Sequence, residues 1–284
     1  MSWRWFVGVL FPILVLVSLT PAWAYEETTM RNFLVGEGVR VVVSNIQGKV
    51  VMEGHGEKVV NMTATKSVEG VSEEKAQELL SRVEVKTEVE ENAIRITTDL
   101  SGTFLSTFLT WQTPRVDYFL ALPYTAQVYV ETVSGEIQAT NLRGETEIKT
   151  VSGRITTQGL AGKVNLETVS GVVNVGRLLG DMAVRTISGP VEVDIPLSHD
   201  FLEISLSSVS GNVTVFVHEK EEMKLIVETV SGRFVSEVPL EIHEGGSFGR
   251  RTFQGQTSAE PRKTIVVKTI SGNVSLKKLK RETI

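Results

Sequence analysis

One four-residue phrase, Thr-Val-Ser-Gly, constrains this chain more than any other feature. It occurs at Thr132–Gly135, Thr150–Gly153, Thr168–Gly171 and Thr186–Gly189, the last with Ile187 in second place. It returns at Ser208–Gly211, Thr229–Gly232 and Thr269–Gly272. The first four copies are evenly spaced, the next two slightly wider, and the last follows an interval about twice as long. A fixed period near 20 is the signature of a solenoid, whose repeats bury a continuous core by stacking.

The flanks of the phrase define the repeat unit. Two residues before each first position stand Val130, Ile148, Leu166, Val184, Leu206, Val227 and Val267. Two residues after each glycine stand Ile137, Ile155, Val173, Val191, Val213, Phe234 and Val274. Polar residues alternate with them, which is the pattern of strands with one buried face. The inward positions are even before the phrase and odd after it, counted from the Thr. A straight strand cannot switch faces, so the chain bends within the phrase, and glycine is expected there for its backbone freedom. Leu142-Arg143-Gly144, Leu160-Ala161-Gly162 and Leu178-Leu179-Gly180 mark a second corner. Each coil should therefore hold two short strands and two turns, with parallel pairing at roughly 4.8 Å between coils. The corner threonines and serines should form hydroxyl ladders from coil to coil.

The chain has 284 residues, 41% of them hydrophobic, and a net charge of −5. That permits a sizeable core and gives no footprint for nucleic acid. The absence of cysteine excludes disulfides, thiol nucleophiles and Cys-ligated metals. Residues 1–24 read as a targeting segment: Arg4, an apolar stretch from Phe6 to Leu19 interrupted by Pro12, and Ala22-Trp23-Ala24 as a cleavage pattern. The apolar run is shorter than the ~20 residues a membrane span needs. The mature chain should begin near Tyr25 and be exported to the periplasm, cell surface or medium.

Residues 25–126 hold strands, a helix and an apolar insert that begin the solenoid. Asn45-Ile46-Gln47-Gly48 looks like a degenerate copy of the corner. Ser72 to Val83 reads as a helix capped by Ser72, with Ala76, Leu79, Leu80 and Val83 on one stripe. It either covers an open sheet edge or serves as a crossover. Glu84–Val89 and Ala93–Thr98 read as a hairpin. The segment 101–113 carries Phe104, Phe108 and Trp111 and is either buried against the domain or an exposed contact patch. Residues 127–278 form the repeat solenoid, interrupted by a Gly-rich loop at 244–263, and 279–284 form a charged tail.

No catalytic arrangement stands out. The four histidines, His55, His199, His218 and His243, lack metal-ligand spacing. Asp181, Asp194 and Asp200 are the nearest approach to paired acids on neighbouring coils. A catalytic cluster should show as one column carrying Asp, Glu, Lys or Arg in adjacent repeats. The column Glu136, Arg154, Val172 and Pro190 does not persist; the column Glu131, Lys149, Glu167 and Arg185 does, but it alternates in sign, as surface pairs do. No catalytic, cofactor-binding or metal-binding residue is therefore assigned.

The seven phrases, the degenerate Asn45–Gly48 turn and a Gly-Phe248-Gly-Arg segment before the last phrase together resemble the bacterial "putative adhesin" family of β-strand-repeat domains. The resemblance spans about residues 35–278. It implies a stacked-strand fold in exported or membrane-associated proteins, and it carries no known activity. The reading is an all-β chain, a β-solenoid with a coil of about 18–22 residues and one short helix near its N-terminal part. Its expected role is non-enzymatic, structural or adhesive, at the bacterial envelope, with a protein or polysaccharide partner and no cofactor. The rival readings are a β-helix enzyme on extracellular polysaccharide, and an envelope sensory module contacting a membrane partner through Phe104, Phe108 and Trp111.

Overall fold

The structure, a computed structural model, describes residues 15–16, 24–100, 113–198, 200, 202–246 and 249–279. The chain divides into two compact units, Met1–Gln138 and Ala139–Ile284. Most of the described residues are in strands, with one helix, in the repeat arrangement of a β-solenoid.

The first unit contains β1 (Val15–Leu16), β2 (Ala24–Leu34), β3 (Arg40–Gln47), β4 (Val50–His55), β5 (Val59–Glu69), α1 (Glu73–Ser81), β6 (Val83–Glu90), β7 (Ala93–Leu100), β8 (Arg115–Pro123) and β9 (Gln127–Thr140). β3 lies between β7 and β9, parallel to both. β8 lies between β4, which it joins in parallel, and β5, which it joins antiparallel. Asn45 is in register with Thr132, and Gln47 with Ser134, so the degenerate turn stacks on the first full phrase. Asn45 also anchors a buried polar chain. Its Nδ2 donates to the Val116 carbonyl (2.9 Å), and its Oδ1 accepts from Thr98 Oγ1 (2.9 Å), which also meets the Tyr118 hydroxyl (2.7 Å). Burial pushes the Tyr118 phenol up to about 12, partly offset by the Thr98 bond.

Ser72 caps α1 by accepting the Lys75 N–H. Ala76, Leu79 and Leu80 pack on Val68, with Tyr25 and Val71 beside them, so the helix joins β5 to β6 as a crossover while covering the end of β5. Val83 is not part of the helix; it opens β6, whose outward residues include Glu84, Lys86, Glu88 and Glu90. Charges on an edge strand discourage pairing with another chain.

The second unit contains β10 (Thr146–Gln158), β11 (Val164–Gly176), β12 (Met182–Ser188), β13 (Val191–Ile195), β14 (Leu202–Ser208), β15 (Val213–Val217), β16 (Met223–Thr229), β17 (Phe234–Ser236), β18 (His243–Gly245), β19 (Arg251–Gln256), β20 (Lys263–Thr269) and β21 (Val274–Lys278). β10 and β11 pair in parallel along their whole length, offset by one repeat, with Thr150 on Thr168 and Gly153 on Gly171. Ile148, Leu166, Val184, Leu206, Val227 and Val267 form one buried column, and Ile155, Val173, Val191, Val213 and Val274 form another. Each such side chain contributes roughly 1.5–3 kcal/mol by leaving water.

Three expectations need correction. First, β9, β10 and β11 are single bent strands that run through the phrase, not pairs of short strands; only from Thr186 onward does the phrase separate two strands. Second, the glycine is required mainly by close approach. Gly135, Gly153 and Gly189 have φ of 149°, 141° and 128°, but Gly171, Gly211, Gly232 and Gly272 are not in that region. A Cβ at Gly171, Gly189, Gly211, Gly272 or Gly232 would instead overlap the carbonyl oxygen of the glycine on the next coil. Third, the threonines of the first four corners, Thr168 apart, staple their own corner in place of the expected ladder, and Thr168 Oγ1 is buried without a hydrogen-bond partner among the described residues. Thr132, Thr150 and Thr186 donate to the carbonyls of Ser134, Ser152 and Ser188, beside the positive-φ glycines. At the other corner type, Gly211, Gly232 and Gly272 donate their N–H to the hydroxyls of Ser208, Thr229 and Thr269. The serines do bridge coils: Ser210, Ser271 and Ser231 donate to the carbonyls of Ile187, Val209 and Ile270.

At the second corner Leu142, Leu160 and Leu178 are buried, and Asn141, Gly159 and Arg177 take the left-handed conformation, one in each successive repeat. The segment expected as a Gly-rich loop forms β18 and β19 instead. β19 pairs antiparallel with β16 and covers its free edge.

The coils are not stacked in sequence order. β20 lies between β14 and β16, and β21 between β15 and β17, parallel to both neighbours. The last coil in sequence is thus inserted between the two before it. The glycine contacts repeat the order 171, 189, 211, 272, 232. Equal spacing of the corners in sequence suggests simple stacking; the long final interval contains the capping excursion that carries the chain back.

Candidate functional site

Outward residues of the parallel strands in the second unit form a shallow groove of about 630 Å³. Strand alternation places them: Ile148, Leu166, Val184 and Leu206 face the core, so their neighbours face out. The floor is one register column, Glu147, Asn165, Ala183, Ser205 and Val266. Ala183 and Ser205 are small, and this makes the face concave.

One rim carries Glu145, Lys163, Asp181 and Glu203. Asp181 Oδ1 accepts the backbone N–H of Glu203 at 2.9 Å, which fixes its carboxylate against the next coil. Arg185 lines the groove on its other side, on the column of alternating charge that holds Lys149 and Glu167 in register with it. Arg185 pairs with Glu167 at 2.8 Å, while Lys149 pairs with Glu147 on its own strand at 2.6 Å. These are exposed pairs worth roughly 0–1 kcal/mol, so they order the surface more than they stabilise the fold. Asn165 Oδ1 is buried without a hydrogen-bond partner.

The corner adds a second surface. The phrase's second residue is outward in every copy. Val151, Val169, Ile187, Val209, Ile270 and Val230 are 42 to 53% exposed and follow one another along the stacked corners of the second unit. At one coil per step this apolar ridge is about 24 Å long. The exposed serine of each phrase runs beside it. In the first unit Val133 has the same exposure, 49%.

The aspartates singled out in sequence separate. Asp181 is on the groove rim, Asp194 lies on β13 in register with Phe216, and Asp200 lies in the segment between β13 and β14. His55 and His218 accept the N–H of Glu57 and Lys220 through Nδ1, as local turn ligands, and His243 is exposed on β18. His199, Phe248 and the expected contact residues Phe104, Phe108 and Trp111 lie outside the described residues, as does most of the targeting segment. Among the described residues no group of three or more His, Cys, Asp or Glu is placed to hold a metal ion. None of their helices is long and apolar enough to cross a membrane. The groove therefore offers hydrogen-bonding and ionic contacts along a repeating surface. Sequence reasoning missed both groove floor and ridge. The signal was present: the parity rule that places position −2 inward also places the phrase's Val or Ile outward.

Among solved structures, the chain is similar to a "putative cell adhesion protein" from Clostridium sporogenes at 15% identity and a TM-score of 0.38, covering 89% of this chain and all of that one. It is also similar to a "putative adhesin" from Bacteroides fragilis, at 10% identity and a TM-score of 0.39, covering 88% and 96%. A third is a "putative lipid binding protein" from Parabacteroides distasonis, at 13% identity and a TM-score of 0.41, covering 89% and 97%. Comparison with curated proteins finds no match. The family model described as Toastrack DUF4097 matches residues 123–277, a span that contains all seven corner phrases, and the chain belongs to that family.

Proposed function

We propose that the chain is an exported, non-enzymatic β-solenoid of the bacterial cell envelope, with a structural or adhesive role in binding an envelope polymer or protein. The observation that carries this reading is the ridge of half-exposed Val and Ile along the stacked corners. Buried corner groups explain the Thr and Gly of the phrase, but outward exposure of its second residue in all seven copies has no part in the core. A sizeable apolar strip beside hydroxyls suits a weak, repeated contact with an extended partner. The groove alongside it supplies polar contacts at the same period.

The test is retention of purified protein on bacterial cells and on isolated envelope polysaccharide. The triple variant Val169→Asp, Ile187→Asp, Val209→Asp should lose at least tenfold in retention while far-UV circular dichroism is unchanged. Unaltered retention would remove the ridge from the function. Turnover of an envelope polysaccharide, abolished by Asp181→Asn, would replace this reading with the enzymatic one.

A further inference from the structure

β2 pairs on one side with β5 over all its 11 residues. On its other side, among the described residues, sits only β1, two residues long, with Val15 on Thr29 and Leu16 on Thr28. β1 belongs to the segment read as a leader, so its removal opens that edge. The contact itself shows that the edge accepts an antiparallel strand at its middle. Charge does not ward one off there. β6 presents Glu84, Lys86, Glu88 and Glu90, whereas the centre of β2 is Thr28, Thr29 and Met30.

Arg31 supplies the sign of a missing partner. Its Nε is shielded from solvent and has no hydrogen-bond partner among the described residues. A guanidinium N–H out of contact with water calls for an acceptor, best a carboxylate. Glu27 lies on the same face of the strand: Glu27, Arg31 and Phe33 stand opposite Lys66, Met62 and Val60. Lys66 holds Glu27 Oε2 at 3.1 Å. A carboxylate accepts from several donors, so Oε1 is left for a second. Within one chain the two residues are separated by about 14 Å along the strand.

We propose that the outer edge of β2 is a self-association surface. With β1 gone, β2 of a second copy pairs with it antiparallel, about a two-fold axis at Thr29. Such an axis keeps each face of the sheet on its own side, so only residues of equal parity oppose one another. The register centred on Thr29 sets Glu27 against Arg31 twice, Tyr25 against Phe33 and Thr28 against Met30. Centring on Thr28 instead sets Glu27 against Thr29, and centring on Met30 sets Glu27 against Phe33. Centring on Glu27 or Arg31 sets like charges against each other. Opposite charges across a strand pair stabilise it, and like charges directly opposite destabilise it. The strand's own sequence thus selects one register and one occupant, a second copy of this chain. Removal of β1 belongs to the export reading, whereas the ridge plays no part; a monomeric result here would leave cell retention through the ridge unaffected.

The chain from Tyr25 onward keeps every described strand except β1, with β2 shorter by Ala24. Sedimentation at about 100 µM, within the range of weak specific contacts, should show a dimer. The chain has no cysteine, and the two Thr29 Cα atoms would stand about 4.5–5.5 Å apart, within disulfide reach. Thr29→Cys should therefore link two chains on oxidation. Asn32→Cys should not, because its two copies would stand about 20 Å apart along the pair. Glu27→Arg and Arg31→Glu should each weaken association at least tenfold. Mixing the two variants should restore it as a heterodimer, since each strand then meets the opposite charges. If either charge variant does not fold by circular dichroism, the two cysteine variants decide alone. A monomer in sedimentation, equal linking through Asn32→Cys, or no recovery on mixing folded variants would overturn the proposal.

Discussion

The glycine contacts give the most quantitative test of the stacking. Gly211 has no left-handed φ, so an alanine there costs nothing in backbone angle. Its Cβ would overlap the Gly189 carbonyl oxygen and stand 3.0 Å from Ser208 Oγ. Backbone blocks relief on one side, and the coils must part by about 1 Å to restore contact distance. The bonds that cross this point are Val209 N–H to the Thr186 carbonyl (3.3 Å), Ser210 N–H to the Ile187 carbonyl (3.0 Å) and Ser210 Oγ to the same carbonyl (3.2 Å). Each is worth about 0.5–1.5 kcal/mol net, and overpacking of a tight site costs about 1–3 kcal/mol. Gly211→Ala should therefore destabilise by about 3 kcal/mol, within the range of such overpacking. With a urea slope of about 3 kcal/mol/M, the midpoint should fall by about 1 M. Gly245 is the control: a Cβ there meets nothing within 4 Å, and its φ is not left-handed. Gly245→Ala should lie between neutral and about 1 kcal/mol stabilising, through the unfolded chain. Urea melts followed by circular dichroism read both. If Gly211→Ala lay within about 0.5 kcal/mol of the parent, as ordinary surface substitutions do, close approach would be refuted as the reason for the glycine.

Further outcomes follow from the buried polar groups. Tyr118 ionises near 10 when unfolded and at about 12 when folded, so the folded state holds its proton longer. Its contribution is intact below pH 10 and is lost as pH rises through 12, by up to about 3 kcal/mol; Tyr118→Phe should flatten that part of a stability-against-pH series. Lys263, fully buried, donates its ammonium to the Glu221 carboxylate. Lys263→Met strands that carboxylate and should cost about 3–5 kcal/mol, whereas adding Glu221→Leu should recover most of it. Thermal melts of the two variants check the order.

The repeat shows what sequence could and could not carry. Counting parity on either side of the phrase located the core columns and the bend, because strand alternation is a local rule. The reason for the glycine was not legible, since overlap with Gly153 or Gly189 depends on which coil lies next door. Coil order was hidden for the same reason: Thr269–Gly272 and Thr229–Gly232 offer the same corner, so either could follow Ser208–Gly211. One local sign existed. Lys263 interrupts an inward column otherwise held by Leu202 and Met223, and a charge on a core face calls for a buried partner. The groove failed to register because it arises from small residues, Ala183 and Ser205, that carry no chemistry alone.

The insertion of the last coil is the central claim, and engineered disulfides address it directly in a chain without cysteine. Ser207 is next to Lys268 in register, and Glu228 lies one strand further out, beyond Lys268. Adjacent parallel strands place Cα atoms at about 4.8 Å, within disulfide reach, and strands two steps apart at about 9.6 Å, beyond it. In dilute, singly prepared protein, Ser207→Cys/Lys268→Cys should oxidise within one chain to completion, and Ser207→Cys/Glu228→Cys should keep free thiols. Closure of the second pair with the first left reduced would mean that the coils stack in sequence order, contradicting the account.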